Sequence, residues 1–138
     1  MSAASILEIT TQGRGFKCLT AAVNRRLADG PPAGLCHLFL QHTSASLMLS
    51  ENADPQVLDD LERWMQARVP DGDPMFGHTA EGPDDMPAHV RTLLAGHELT
   101  IPFADHQLLL GTWQGIYLWE HRAHGHRRRV VISRLAGA

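Results

Sequence analysis

The 138 residues of the chain, 43% of them hydrophobic and 20% charged, are typical of one globular domain and argue against a disordered or membrane-spanning protein. The formal net charge of −3 argues against a broad basic surface, so we expect no nucleic-acid and no membrane partner. The N-terminal segment lacks the basic and apolar regions of a secretory signal, which favours a cytoplasmic protein. Nine histidines are the outlier, and histidine transfers protons near neutral pH and binds borderline metals.

Short apolar segments predict several strands in the first 50 residues. Residues 6–10 and 16–20 are strand-like and are joined by a turn that contains glycine. The segment 21–28 has some helical character but also fits a loop. Residues 35–41 are apolar on both faces apart from one histidine, which is typical of a strand buried on both sides. Residues 47–49 predict another buried strand segment.

The clearest helix begins after Asp54, which fits the N-cap position and is followed by Pro55 at the first helical position. The Val69-Pro70 pair ends it. Between these limits the apolar residues recur at helical spacing and leave a charged outer face. These apolar residues are Val57, Leu58, Leu61, Trp64 and Met65.

A second, shorter helix is predicted over residues 87–95, with Asp84 or Asp85 as its cap and Gly96 at its end. Further strands are predicted over residues 99–103, 108–111, 115–120 and 129–133. Strands dominate, two short helices lie between them, and the chain has no linker. The sequence therefore predicts one α+β domain, residues 1–138, with a mostly antiparallel sheet.

Polar residues interrupt the apolar segments at two nearby places. His42, Thr43 and Ser44 lie between two strands, where they fit either a polar strand end or a site for an anion such as phosphate. Glu51 and Asn52 follow the next strand, which is a common position for functional groups on a rigid support.

A third polar segment, residues 77–89, contains His78, Glu81, Asp84, Asp85 and His89 within thirteen positions. A lone histidine on the inner face of a helix is more often hydrogen-bonded than bound to a metal. His89 changes that expectation if it meets His78 or His42, because three neutral imidazoles suit zinc or a similar ion, with carboxylates orienting them. The spacing matches no compact zinc motif.

The last polar segments lie near the C-terminus. Trp113 and Gln114 stand between two glycines, and Trp113 fits either a stacking surface or the core. Glu120, at a strand end, fits a general base or a surface carboxylate. Arg127–Arg129 fit phosphate binding or salt bridges better than nucleic-acid binding, and Arg128 faces away from its two neighbours in a strand.

Five motifs in one order resemble the YjbQ family, often named secondary thiamine-phosphate synthase enzyme. The resemblance covers about residues 5–135. The motifs are His42-Thr43-Ser44-Ala45, Glu51-Asn52-Ala53-Asp54-Pro55, Asp85-Met86-Pro87-Ala88-His89, Leu110-Gly111-Thr112-Trp113-Gln114-Gly115 and Arg127-Arg128-Arg129-Val130-Val131. Ser50 and Asp85 depart from the family, where many members have asparagine.

The resemblance implies an α+β fold around a β-sandwich-like core, a homotrimer, and a pocket at or near subunit contacts. It implies weak thiamine-phosphate synthase activity, in which a pyrimidine diphosphate joins a thiazole phosphate and pyrophosphate leaves. A divalent metal, zinc or magnesium, would help the arginines neutralise phosphate charge. The expected metal ligands are His42, His78 and His89, and the expected catalytic residues are His42, His89 and Glu120.

The expected contacts with a small phosphorylated substrate come from Thr43, Ser44, Glu51, Asn52, Asp85, Trp113, Gln114, Arg127, Arg128 and Arg129. Two other functions remain open at this point. One is a metal-dependent hydrolase of a small substrate. The other is a trimeric protein that binds a metal or metabolite without catalysis.

Overall fold

Two antiparallel sheets and three helices form the fold in a computed structural model that describes residues 2–136. The strands are β1 Ser2–Thr10, β2 Gly15–Cys18, β3 Gly34–Leu40, β4 Ala45–Glu51, β5 Glu98–Ala104, β6 Gln107–Leu108, β7 Gln114–Glu120 and β8 Arg127–Ala136. The helices are α1 Thr20–Arg26, α2 Pro55–Arg68 and α3 Asp85–Ala95. The predicted α+β class with antiparallel sheets is confirmed.

The five-stranded sheet has the order β1-β8-β3-β5-β6, and the three-stranded sheet has the order β2-β7-β4. Consecutive strands β1 and β2 lie in different sheets, because β1 pairs with β8 and β2 pairs with β7. The main core lies between the sheets and includes Leu38, Leu47, Leu118 and Val130, none of them more than 1% exposed. These residues make the sandwich-like core that positions every strand end discussed below.

Both predicted helices are present, and α1 settles the segment that also fitted a loop. Asp54 caps α2, since its Oδ1 accepts the Gln56 N–H at 2.9 Å. Helix α3 begins two residues earlier than predicted, at Asp85. Asp84 occupies the N-cap position, but its side chain forms no cap hydrogen bond. It accepts a hydrogen bond from Arg122 instead. Gly96 ends α3 with a φ of 97°, which glycine adopts readily.

Strand β3 differs from the expectation of burial on both faces. Cys36, Leu38 and Leu40 face the core, whereas Leu35 and Phe39 on the other face are 44% and 39% exposed. An apolar run predicts that both faces of a strand pack against other groups. It does not show whether those groups belong to the same chain or to another. In a single chain, these two apolar side chains on the outer face of the five-stranded sheet are therefore open to solvent.

The three-stranded sheet, by contrast, is covered on both faces. Trp119 packs with Met65 of α2 in a second core cluster, on the side away from the main core. Its Nε1–H donates to Glu62 at 2.9 Å, which ties β7 to the helix. Nearby, His121 is fully buried, and burial together with the charge of Arg91 lowers the pKa of its imidazole to about 3. Within residues 2–136, no helix combines the length and apolar character needed to span a membrane.

Candidate metal centre

Helix α3 and the loop before it bring two histidines and one carboxylate together. Asp85 and His89 are one helical turn apart, so their side chains lie on the same side of α3. The Oδ2 atom of Asp85 lies 2.7 Å from His78 Nε2 and 3.3 Å from His89 Nε2. The three atoms that could bind an ion all lie within 4.8 Å of one another.

A backbone carbonyl fixes the orientation of His89. Its Nδ1 lies 3.0 Å from the carbonyl oxygen of Thr43, which accepts the imidazole proton. With Nδ1 held in this way, the protonated ring directs its Nε2–H at Asp85, and the neutral ring has its lone pair on Nε2, where it can bind an ion. This second contact is the arrangement that holds metal-binding histidines in place in proteins.

Asp85 is ionised despite its burial, with only 3% of its surface exposed. Burial alone would raise the pKa of its carboxyl group. The hydrogen bond from His78 and the charges of His89 and Arg122 outweigh burial and leave that pKa below its usual value. A buried carboxylate and two imidazoles therefore face the same small volume.

His42 lies outside this group of ligating atoms. Its Nε2 accepts the backbone N–H of Arg129 at 2.8 Å, so its Nδ1 carries the proton when the ring is neutral. The Arg128 guanidinium, 3.4 Å from Nδ1, then makes only a loose contact. Burial, followed by the charge of Arg128, lowers the pKa of His42 and so favours the neutral form of its ring.

His42 and His89 share a pocket of about 630 Å³. Between them lies Thr43, whose carbonyl orients His89. The rest of the wall is largely apolar, and the complete lining is Phe39, Leu40, Gln41, His42, Thr43, His89, Thr92, Leu93 and His97. The pocket thus joins the first polar motif to the histidine–aspartate group.

Glu120 is buried behind His42, where it pairs with Arg128. The Arg128 Nε–H donates to Glu120 at 2.8 Å, and Nη2 contacts the other carboxylate oxygen and Ser44 Oγ. Burial would raise the pKa of Glu120, but hydrogen bonds from Arg128 and Thr11 leave it lowered. In this arrangement the Glu120 and Arg128 charges neutralise each other.

The other two arginines of the basic motif face outward. Arg127 and Arg129 are exposed, whereas Arg128 is 3% exposed, which is the alternation expected in a strand. Arg127 makes a loose pair with Glu8 at 3.9 Å. Of these two exposed residues, Arg129 is linked to the pocket wall, since its backbone N–H donates to His42 and its charge acts on the pKa of that ring.

The remaining predicted residues lie at the far end of the three-stranded sheet. Glu51 is opposite Gln114 in the β4–β7 register, and Ala45 is opposite Glu120, six residues along the strand. Six residues of a strand span about 20 Å. Trp113 is 62% exposed at this far end, beside Asn52, whose N–H donates to its carbonyl. Within one chain, this group is separate from the two histidines.

Sequence reasoning did not single out Arg122 as a functional residue. Its guanidinium contacts Asp84 at 2.8 Å and Asp85 at 3.0 Å, and so lies directly behind the histidine–aspartate group. The available signal was its position immediately beyond the polar end of β7. Sequence reasoning likewise grouped His42 with the metal ligands, whereas Asp85 occupies that third position in the structure.

Comparison with known proteins identifies relatives of the whole chain. The family model described as "UPF0047 protein YjbQ-like" matches residues 5–137. The UPF0047 protein YjbQ of Escherichia coli O157:H7 is 46% identical, over 92% of this chain and 93% of that protein. The UPF0047 protein sll1880 of Synechocystis is 44% identical, over 92% of this chain and 87% of that protein.

The same fold is found in solved structures of other proteins. The crystal structure of the conserved hypothetical protein TT1486 from Thermus thermophilus has a TM-score of 0.84 and 34% sequence identity. The superposition covers 96% of this chain and 99% of that one. A member of the same family from Clostridium acetobutylicum, at 30% identity, has a TM-score of 0.80 over 91% of this chain and 97% of that one.

The buried Glu120–Arg128 pair leads to a prediction for stability. Glu120→Gln leaves the Arg128 charge buried without its counterion, so the free energy of unfolding falls by about 3–5 kcal/mol. Glu8→Gln is the matched control, because Glu8 and Arg127 are exposed and their pair contributes at most about 0.5 kcal/mol. Denaturant unfolding of the two variants measures the difference. Equal losses of unfolding free energy would show that the buried pair stabilises the fold no more than the exposed pair does.

Proposed function

The chain belongs to the YjbQ-like UPF0047 family, and we propose that it is a cytoplasmic metal-dependent enzyme for a small phosphorylated substrate. The observation that carries this proposal is the meeting of His78 Nε2, Asp85 Oδ2 and His89 Nε2 within 4.8 Å. The proposed metal ligands are therefore these three side chains. His42 is proposed as part of the substrate pocket, next to His89.

The donor set fits a divalent ion. Two imidazole nitrogens and one carboxylate oxygen suit zinc, and two ligands bonded at about 2.1 Å to one tetrahedral ion lie about 3.4 Å apart. The separation of 3.3 Å between Asp85 Oδ2 and His89 Nε2 is close to that value. The 2.7 Å between Asp85 Oδ2 and His78 Nε2 is a hydrogen-bond distance, and it would lengthen when an ion replaces the shared proton. The His78 side chain is 46% exposed, so a substrate can approach the group from solvent.

A divalent ion at this position would supply Lewis acidity to a phosphoryl oxygen and neutralise charge on a departing phosphate. The chain's own residues would bind and orient the substrate. The neutral His42, Thr43 and the apolar wall beside them would hold the substrate body, since none of the nine lining residues is acidic. The exposed Arg129 guanidinium would bind phosphate at the edge of the pocket.

The first reaction to consider is the one implied by the family resemblance, in which a pyrimidine diphosphate joins a thiazole phosphate and pyrophosphate is released as the leaving group. The largely apolar pocket beside His89 would hold the ring of the substrate, and the proposed metal next to it would bind the charged phosphate. Hydrolysis of a small phosphorylated substrate is the second candidate. It is favoured by the open, solvent-facing side of the ligand group at His78.

We also propose a homotrimer. The outer face of the five-stranded sheet exposes Ile6, Leu35, Phe39 and Leu135, each at least 39% accessible. In the strand register Ile6 and Phe39 flank one position of β8, and Leu35 is opposite Leu135, so the four side chains form two apolar groups on this face. Exposed apolar patches rimmed by polar residues often mark contacts between protein chains. Phe39 lies on this face and also lines the pocket, so contacts through it would bring the pocket close to a neighbouring subunit. The distant Trp113 group can act with the metal ligands only from another subunit.

The metal proposal predicts one bound zinc ion per chain in titrations of the metal-free protein. His78→Ala, Asp85→Asn and His89→Ala each remove one ligand, and each should weaken zinc binding at least tenfold. His124→Ala, in an exposed turn, is the control and should bind as the parent chain does. Competition with a chromophoric chelator measures the affinities.

The same titration has a pH signature. Imidazole must lose its proton to bind a metal, so zinc affinity should fall as the pH is lowered from 8 to 5. Asp85, whose pKa lies below its usual value, stays ionised over that range and does not contribute to the fall. Affinity that is constant from pH 5 to 8, or unchanged in all three ligand variants, would contradict the assignment.

Turnover tests separate the two reactions from simple binding. With metal present, the chain should release pyrophosphate when both pyrimidine diphosphate and thiazole phosphate are supplied. Asp85→Asn should abolish the activity, and a chelator should remove it reversibly in the parent chain. Phosphate release from single phosphorylated substrates would favour hydrolysis. Tight zinc binding without any turnover would favour the non-enzymatic alternative.

The trimer proposal is tested by light scattering. The parent chain should have three times the chain mass, and Phe39→Asp should dissociate it, because a charge cannot be buried in an apolar contact without a large cost. Trp64→Asp is the control, since Trp64 is 51% exposed on α2, in the opposite layer of the fold. Dissociation by Trp64→Asp alone would move the subunit contact to the helices.

A further inference from the structure

Arg122 is held at a fixed position behind the proposed metal ligands. Its Nε–H donates to Asp84 Oδ2 at 2.8 Å, and its Nη2–H donates to the carbonyl of Glu81 at 2.9 Å. The backbone N–H of Ala123 donates to the same Asp84 oxygen at 2.9 Å. With its side chain only 15% exposed, the guanidinium has little freedom to move.

The remaining nitrogen of this guanidinium contacts Asp85. Nη1 lies 3.0 Å from Asp85 Oδ1, whereas Oδ2 of the same carboxylate faces His78 and His89. The two carboxylate oxygens therefore have different partners. Rotation of the carboxylate would break the Arg122 contact, so Oδ2 alone is presented to the two imidazoles.

We propose that Arg122 is a positioning residue that fixes the orientation of Asp85 as a single-oxygen metal ligand. This inference rests on the metal site proposed above. Arg122 is directed at the ligand carboxylate and does not itself reach the ion, because guanidinium carries only donors. Asp84 contributes to this positioning, because it accepts the Arg122 Nε–H and so holds the guanidinium at a second point.

Positioning and simple electrostatics predict opposite results. A positive charge 3.0 Å from the ligand carboxylate repels a divalent ion, so electrostatics alone predicts tighter binding once that charge is removed. Positioning predicts weaker binding, because loss of partners behind metal ligands typically costs about 10–100-fold in affinity. The sign of the change therefore distinguishes the two effects.

The experiment compares zinc affinity in the full chain with Arg122→Gln and Arg122→Lys. Positioning predicts that both lose about 10–100-fold, since neither residue reproduces the planar fork of donors. Cobalt(II) bound to the variants should also show an altered visible spectrum, which reports on ligand geometry. Arg63→Gln is the control, because Arg63 makes an exposed ion pair with Asp60 on α2 that does not involve Asp85.

Each outcome is decisive. Equal or tighter zinc binding in Arg122→Gln, with an unchanged cobalt spectrum, overturns the role of Arg122 and leaves the metal site intact. A parent chain that binds neither zinc nor cobalt overturns the metal site itself. Thermal unfolding of the metal-free proteins detects variants that fail to fold. In that case Asp84→Asn replaces them, and unchanged affinity and spectrum in that variant contradict the proposal.

Discussion

The carboxylate of Asp85 is where three separate parts of the chain meet. One of its oxygens faces His78 and His89, and the other faces Arg122. A buried carboxylate is tolerated only when its charge is balanced by nearby donors and cations, so these contacts constrain one another. The start of α3, the loop that precedes it and the turn after β7 are consequently held together at one point. The proposed chemistry depends on this point, because within residues 2–136 Asp85 and these two histidines are the histidine, cysteine and carboxylate side chains found close enough together to hold an ion.

The sheets supply the rigid support for this arrangement. Thr43 lies between β3 and β4, and its carbonyl orients His89 from the sheet side. Beyond it, the Glu120–Arg128 pair joins β7 of one sheet to β8 of the other inside the core. At the pocket wall, burial and then the Arg128 charge lower the pKa of His42. Polar groups that resemble one large site in the sequence thus divide into a buried structural pair, a pocket wall and a cluster of ligating atoms.

Local signals made α2 predictable, because the Asp54 cap, the following proline and the apolar repeat all lie within the helix itself. The i, i+4 spacing of Asp85 and His89 is local too, and it placed both residues on one side of α3. Other features depend on contacts between distant segments. Pairing of β1 and β2 with different sheets, exposure of Phe39 and separation of Trp113 from His42 follow from strand register and sheet order. The part played by Arg122 required the folded position of the turn after β7.

The most direct test of the account is a crystal structure of the protein soaked in zinc, with anomalous scattering used to locate the ion. The account predicts one strong peak bound by His78 Nε2, Asp85 Oδ2 and His89 Nε2, with bonds of about 2.0–2.2 Å. In the same structure Asp85 Oδ1 should remain in contact with Arg122. A peak at His42 in place of these three atoms, or no ordered zinc beside Asp85 at saturating concentration, would contradict the central claim.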